Sequence, residues 1–100
     1  MTTTVGVVLI SDTGKKELLL GLREWLGEPG IRFFSWCLEQ HGEIAPVYTE
    51  HGIPHSVHMN EGMQVRNFLR TVPICKGWDC HQLDDNWAQL VEEAVCYKEE

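Results

Sequence analysis

Apolar residues recur at helical spacing in several segments of the chain, and glycine or proline separates these segments. The apolar stripes are Leu18/Leu19/Leu22/Trp25/Leu26, Ile31/Phe34/Cys37/Leu38, Val65/Phe68/Leu69/Val72 and Leu83/Trp87/Leu90/Val91/Ala94. Such spacing places each set on one face of a helix. Gly27, Pro29 and Gly30 separate the first two stripes. Gly42 ends the second helix and Pro73 the third. The pattern predicts about four packed helices in a single domain spanning residues 1–100.

Strands are predicted in fewer places. Residues 5–10 are β-branched, and a turn-forming segment follows them, which is typical of a short N-terminal strand. Residues 43–58 look irregular, because they contain two prolines, which lack a backbone N–H. Any strand at residues 44–49 is therefore expected at a sheet edge, with residues 5–10 as its partner. Residues 31–38 are aromatic enough to form a strand instead of a helix. The fold is therefore predicted as mainly α with a short N-terminal strand, and the alternative is α+β with a small two- or three-stranded sheet.

Composition narrows the range of functions. The chain has 100 residues, 43% of them apolar, which suffices for one core. Asp and Glu total 15 against 8 Lys and Arg, a net charge of −7. With this acidic balance and no basic stripe, we expect no binding to nucleic acid or to anionic membranes. The apolar run at residues 5–10 is too short for a signal sequence and has no basic residue before it, so we expect a cytoplasmic location with reduced thiols.

Cysteine and histidine suggest two kinds of chemistry. Cys75, Cys80 and His81 lie in one predicted loop, and Cys37 and His41 are one helical turn apart, so these residues are candidate ligands for zinc. The chain has no C-x2-C pair, and a buried Cys37 is the simpler interpretation. Cys80 beside His81 is also the one local candidate for a nucleophilic thiol. The expected state is a protein without cofactor and without catalytic residues.

Arg66 is a candidate for an ion pair between helices. It lies at the margin of the third apolar stripe, and Asp84 and Asp85 lie near the start of the last helix. A guanidinium in this position can form charge-assisted hydrogen bonds with either carboxylate. A solvated surface charge is the alternative. We favour the ion pair, as a structural contact.

Residues 60–95 resemble a group of small uncharacterised bacterial proteins. These proteins share a G-x-x-[IV]-R-N helix, a loop, and a helix that starts with two aspartates. The corresponding residues here are Gly62, Val65, Arg66, Asn67 and the pair Asp84-Asp85. In the commoner form of the motif, proline directly follows the histidine and precedes the two aspartates, whereas Gln82 and Leu83 intervene here. The resemblance implies packed helices and no particular activity.

Aromatic residues exceed what one small core hides. Phe33 and Trp36 lie off the stripe of the second helix, and Trp78 lies in a loop, so all three are candidate interaction residues. Packing of Phe33 and Trp36 beneath residues 43–58 is the competing interpretation. We therefore expect a non-catalytic domain that binds another protein or itself. A metal-stabilised or metal-sensing domain and a thiol enzyme that uses Cys80 and His81 are the alternatives.

Overall fold

The computed structural model describes residues 12–97, which form three helices and one β-hairpin. The elements are α1 (Asp12–His41), β1 (Val47–Glu50), β2 (Ile53–Ser56), α2 (Glu61–Leu69), a short 3-10 helix (Pro73–Cys75) and α3 (Cys80–Val95). The prediction of a mainly helical protein is confirmed, and the small antiparallel sheet makes the fold α+β. The predicted strand at residues 5–10 lies outside the described residues.

Helix α1 combines the first two predicted helices in one element with a break at Gly27. Gly27 has φ 66° and ψ −177°, a left-handed conformation that glycine adopts without steric cost. Pro29 follows near the start of the second half of α1. A backbone N–H at the first position of a helix has no intrahelical hydrogen-bond partner, so proline is tolerated there. The predicted interruption is therefore present, but residues 12–97 contain three α-helices and not four. Residues 31–38 are helical, which settles the choice between helix and strand there.

The hairpin corrects the interpretation of residues 43–58 as irregular. Strands β1 and β2 pair antiparallel, with Tyr48 opposite His55 and Glu50 opposite Ile53. His51 and Gly52 form the turn with φ values of 52° and 78°, as a two-residue type I′ turn requires. The predicted strand at residues 44–49 thus begins later, and its partner among the described residues is β2.

Helix α3 is the central packing element. It contacts both α1 and α2, and its buried residues are Leu83, Trp87, Leu90, Val91 and Ala94. Asp79 and Gln82 form a reciprocal capping box at its start, with N–H···O distances of 2.8 and 2.9 Å. Arg23 of α1 donates a 2.6 Å hydrogen bond to the carbonyl of Ala94 at its other end. None of the helices in the described residues has the length and apolar character needed to cross a membrane.

Candidate functional site

The G-x-x-V-R-N segment and the Asp-Asp segment meet where α2 packs against α3. Gly62 faces the indole of Trp87, and a Cβ atom added to Gly62 would lie 2.6 Å from Trp87 Cζ2 and 3.1 Å from the carbonyl oxygen of Val57. These distances are too short for any side chain larger than hydrogen. Glycine at this position therefore allows the close contact between α2 and the buried Trp87.

Arg66 lies at the centre of the same contact, with only 10% of its side chain exposed. Its Nε atom is 3.3 Å from Asp84 Oδ1, and its Nη1 atom is 3.5 Å from His58 Nε2. The guanidinium carbon lies 5.6 Å from the centroid of the Trp87 ring, within the range of a cation–π contact. Asp84 and Asp85 are both exposed, and Asp84 is the one that pairs with Arg66. We call Gly62, Arg66, Asp84 and Trp87 the helix clamp.

The helix clamp holds two helices together and leaves little of its chemistry accessible. Trp87 is 1% exposed and Arg66 is buried. The guanidinium already has a carboxylate, an imidazole and an aromatic ring as neighbours. A buried charge of this kind needs its partners to offset the cost of its desolvation. The helix clamp therefore has a structural role.

A second group of aromatic residues is open to solvent. Trp25, Phe33 and Trp36 on α1 and Tyr48 on β1 form what we call the aromatic face. Trp25 and Trp36 are 41% and 39% exposed, although both indoles have aromatic neighbours. Trp25 stacks on Phe68 of α2 with 4.7 Å between ring centroids. Trp25 is therefore held against α2, while part of its ring and part of the Trp36 ring contact solvent.

Ring contacts connect the aromatic face to the hairpin. Trp36 lies nearly perpendicular to Tyr48, with 5.1 Å between centroids and 79° between planes. Tyr48 in turn contacts His55, whose Nε2 is 2.8 Å from Glu61 Oε1 on α2. The series of contacts therefore runs from α1 through both strands to α2. It fixes the position of the Tyr48 ring relative to Trp36.

Two hollows lie on the aromatic face and share Phe33. The α2 hollow, about 310 Å³, lies between the second half of α1 and α2. Its apolar lining consists mainly of Trp25, Leu26, Pro29, Phe33, Phe34 and Val65. The hairpin hollow, about 400 Å³, is lined by Phe33, Trp36, Tyr48, Thr49 and Glu50. Each hollow thus combines aromatic walls with an acidic residue, Glu61 in the first and Glu50 in the second.

The electrostatic environment of the aromatic face is negative. Desolvation raises the pKa of the Tyr48 hydroxyl above its ordinary value, and the negative charges of Glu61 and Glu50 add to this rise. Burial likewise raises the pKa of the Cys37 thiol to about 11, with a further contribution from Glu61. Among the described residues, no Lys or Arg lines either hollow. Anionic groups are therefore disfavoured at the aromatic face and cationic groups are favoured.

The predicted zinc ligands do not converge. Cys37 and Cys75 belong to the core, and burial raises the pKa of Cys75 to about 11. Cys80 and His81 are exposed in the first turn of α3, which corrects their placement in a loop. His41 is exposed and packs its ring against Trp36 and Tyr48. Within residues 12–97, no group of three or more His, Cys, Asp or Glu is arranged to hold a metal ion. The metal alternative stays a prediction.

No contact among residues 12–97 supports the thiol-enzyme alternative. Cys80 begins α3 and His81 follows it, and both side chains are exposed. Nucleophilic activation requires a base oriented toward the thiol, usually with a third group that orients the base. The side chains of Asp79 and Gln82 in this turn form the capping box. This alternative also stays a prediction.

The three predicted interaction residues occupy different environments. Phe33 is half-buried against the core, whereas Trp36 is exposed although it contacts Tyr48 of the hairpin. The two interpretations of these residues therefore stay predictions. Trp78 is half-buried near the start of α3 and lines neither hollow. Tyr48, which contacts Trp36, is not among the predicted interaction residues, because it lies in the segment predicted to be irregular. The strand propensity of Val47, Tyr48 and Thr49, followed by Gly52 as a turn residue, is the signal that indicates the hairpin.

Comparison of the chain with protein-family models, with curated proteins and with solved structures finds no match.

Proposed function

We propose that this protein is a non-catalytic interaction domain whose aromatic face binds a segment of another protein that has both apolar and basic side chains. The observation that supports this proposal most directly is the pair of adjoining hollows that share Phe33. Exposed tryptophan and tyrosine beside such hollows are typical of the residues that dominate binding energy at interfaces.

Charge complementarity argues for a basic partner. Glu61 and Glu50 line the hollows, and the whole chain has a net charge of −7. A basic segment gains from this potential during diffusional encounter and can place Lys or Arg over the aromatic rings. A second copy of this chain has the same negative charge, so repulsion disfavours self-association through the aromatic face.

The proposal can be tested with a phage-displayed library of random dodecapeptides and the purified protein. We expect enrichment of peptides that combine Lys or Arg with aliphatic or aromatic residues. Binding of the synthetic peptides, measured by fluorescence anisotropy, should weaken as salt concentration rises, because the surface charges are screened.

Two substitutions locate the binding surface. Trp36→Ser should abolish peptide binding with little change in the melting curve. Ile74→Ser is the matched control, since Ile74 is 38% exposed and lies outside the aromatic face. The proposal is wrong if no peptide is enriched, if acidic peptides are preferred, or if the two variants bind the selected peptides equally well.

A further inference from the structure

The hairpin hollow has a composition that differs from an ordinary apolar groove. Three of its five lining residues are aromatic, namely Phe33, Trp36 and Tyr48. The other two are Thr49 and Glu50, and Glu50 contributes a carboxylate. Aromatic faces with an adjacent carboxylate attract a cation that has little tendency to hydrate, because the quadrupole of each ring is negative over its face.

The orientation of the rings suits a rounded cation. Trp36 and Tyr48 are inclined at 79° with 5.1 Å between centroids, so one ring packs its edge against the other and the pair presents two walls at nearly a right angle. Phe33 lies 6.1 Å from Trp36 with 28° between their planes, which extends the aromatic surface along α1. A group with methyl groups on several sides can contact more than one of these walls at once.

We propose that the hairpin hollow binds an alkylated ammonium group, such as trimethyllysine, on the segment that occupies the aromatic face. This inference rests on the proposed function, because it assigns the ammonium group to a protein partner. Methylation removes hydrogen-bond donors and lowers the cost of desolvation, which suits a hollow with one carboxylate among its lining residues. An uncharged alkyl group gains nothing from Glu50, and a carboxylate or phosphate is repelled by it.

The rigidity of the hollow supports the same inference. Tyr48 also contacts His55, with 5.0 Å between ring centroids, and His55 is paired with Glu61 at 2.8 Å. His41 contacts both Trp36 and Tyr48, with ring centroids 5.2 and 5.9 Å away. Side chains that are already positioned lose little conformational entropy when a ligand binds. The aromatic walls are therefore in place before the ammonium group arrives.

The first experiment compares choline with 3,3-dimethylbutan-1-ol, its uncharged analogue of the same shape, by NMR titration of the labelled protein. We expect shift changes at the indole N–H of Trp36 and affinity for choline about fivefold higher than for the alcohol, as a cation–π contact of moderate strength implies. Equal affinity for the two compounds, or shift changes confined to other parts of the protein, overturns the ammonium site.

Matched variants test which residues form the site. Trp36→Leu should abolish choline binding, whereas Trp25→Leu should leave it unchanged, since Trp25 lines the α2 hollow only. Glu50→Gln should weaken choline binding several-fold, and Glu92→Gln, which removes the same charge from an exposed position on α3, should not. Equal effects of the two members of either pair overturn the assignment of the hairpin hollow.

A peptide experiment separates this inference from the proposed function. A basic peptide selected on the aromatic face is synthesised with lysine or with trimethyllysine at its basic position. Tighter binding of the methylated peptide, lost in Trp36→Leu, supports the inference. If both forms bind equally through the aromatic face, the ammonium site is wrong and the interaction surface stands. If choline binds and no peptide does, the proposed function fails, and with it the assignment of the ammonium group to a protein segment.

Discussion

The helix clamp and the aromatic face use the same kinds of side chain in opposite ways. In the helix clamp, Trp87 is enclosed by Gly62 and Arg66 and is 1% exposed. In the aromatic face, Trp36 contacts Tyr48 on one side and retains 39% of its accessible surface. The cation that accompanies the indole is within the chain in the first case. In the second case the chain supplies acidic residues, and we propose that a partner supplies the cation.

This difference indicates how a small domain can divide its aromatic residues between stability and binding. Burial of an aromatic side chain contributes a large share of the free energy of folding, and each indole left exposed gives up part of that contribution. The contacts of Trp25 with Phe68 and of Trp36 with Tyr48 recover some of it. Exposed rings that are nonetheless rigidly held are suited to binding, since few degrees of freedom remain to be lost.

The largest expected difference between the two regions follows truncation of their tryptophans. Trp87→Ala should lower the free energy of unfolding by about 3–5 kcal/mol, because it leaves a large cavity in the core. Trp36→Ala should lower it by about 1 kcal/mol or less, as is usual for partly exposed positions. Urea unfolding followed by far-UV circular dichroism measures both values. Similar losses for the two variants would contradict the distinction between a structural and a binding tryptophan.

Glycine substitutions test the close contact in the helix clamp. Gly62→Ala should destabilise the protein by about 1–3 kcal/mol, because the added methyl group overlaps Trp87, whose buried ring has no space to move. Gly21→Ala in α1 is the matched control, since no atom lies within 4 Å of its added Cβ. Alanine there should stabilise the helix by about 0.5–1 kcal/mol. Thermal melting distinguishes the two signs, and destabilisation of equal size by both would exclude a specific steric effect at Gly62.

The ion pair in the helix clamp should respond unequally to loss of its two partners. Asp84 is 50% exposed and Arg66 only 10%. Asp84→Ala therefore leaves a buried guanidinium without its carboxylate, at a cost of about 1–3 kcal/mol. Arg66→Met retains an apolar stem and leaves a solvated carboxylate, so it should cost less. Urea unfolding of both single variants and of the double variant completes the cycle. A greater loss for Arg66→Met would show that packing on Trp87 outweighs the charge pair.

The smallest expected effect on stability concerns the cysteines. Burial raises the pKa of Cys37 and Cys75 to about 11, whereas Cys80 and Cys96 are exposed. At pH 8 the two buried thiols are protonated, and a rise of about two pKa units lowers their thiolate fraction roughly 100-fold. Iodoacetamide should therefore label only Cys80 and Cys96 in the native protein, with little change in melting temperature. Intact-mass spectrometry detects the labels, and modification of Cys37 or Cys75 before unfolding would contradict their burial.

The same pKa shifts predict the direction of a pH effect. A thiol whose pKa is higher in the folded state than in the unfolded state stays protonated in the folded protein at pH values between the two. The unfolded chain loses that proton first, so these thiols make the free energy of unfolding fall as pH rises from about 9 to about 11. Replacement of Cys37 by alanine should reduce this dependence, which unfolding curves across that pH range will measure.

Much of the fold follows from local pattern. The stripe from Leu83 to Ala94 corresponds to the buried face of α3, and the glycine and proline residues after Leu26 correspond to the break at Gly27. The pairing of Arg66 with an acid of α3 also corresponds to a contact in the structure. The hairpin was missed, because Pro54 disfavours a central strand but is tolerated in a two-stranded sheet.

The amino-acid sequence by itself determined the helical periodicity, the position of the break in α1 and the acidic character of the surface. These features depend on the residue types and on their neighbours along the chain. Only the tertiary structure decided that Trp25, which belongs to the first apolar stripe, is 41% exposed, and that Tyr48 lies beside Trp36. The physical reason is that burial depends on what packs opposite a side chain. Trp87 packs against a glycine on α2, which leaves room for the whole indole. Trp36 packs against Tyr48 of a two-stranded hairpin, which covers only part of the indole.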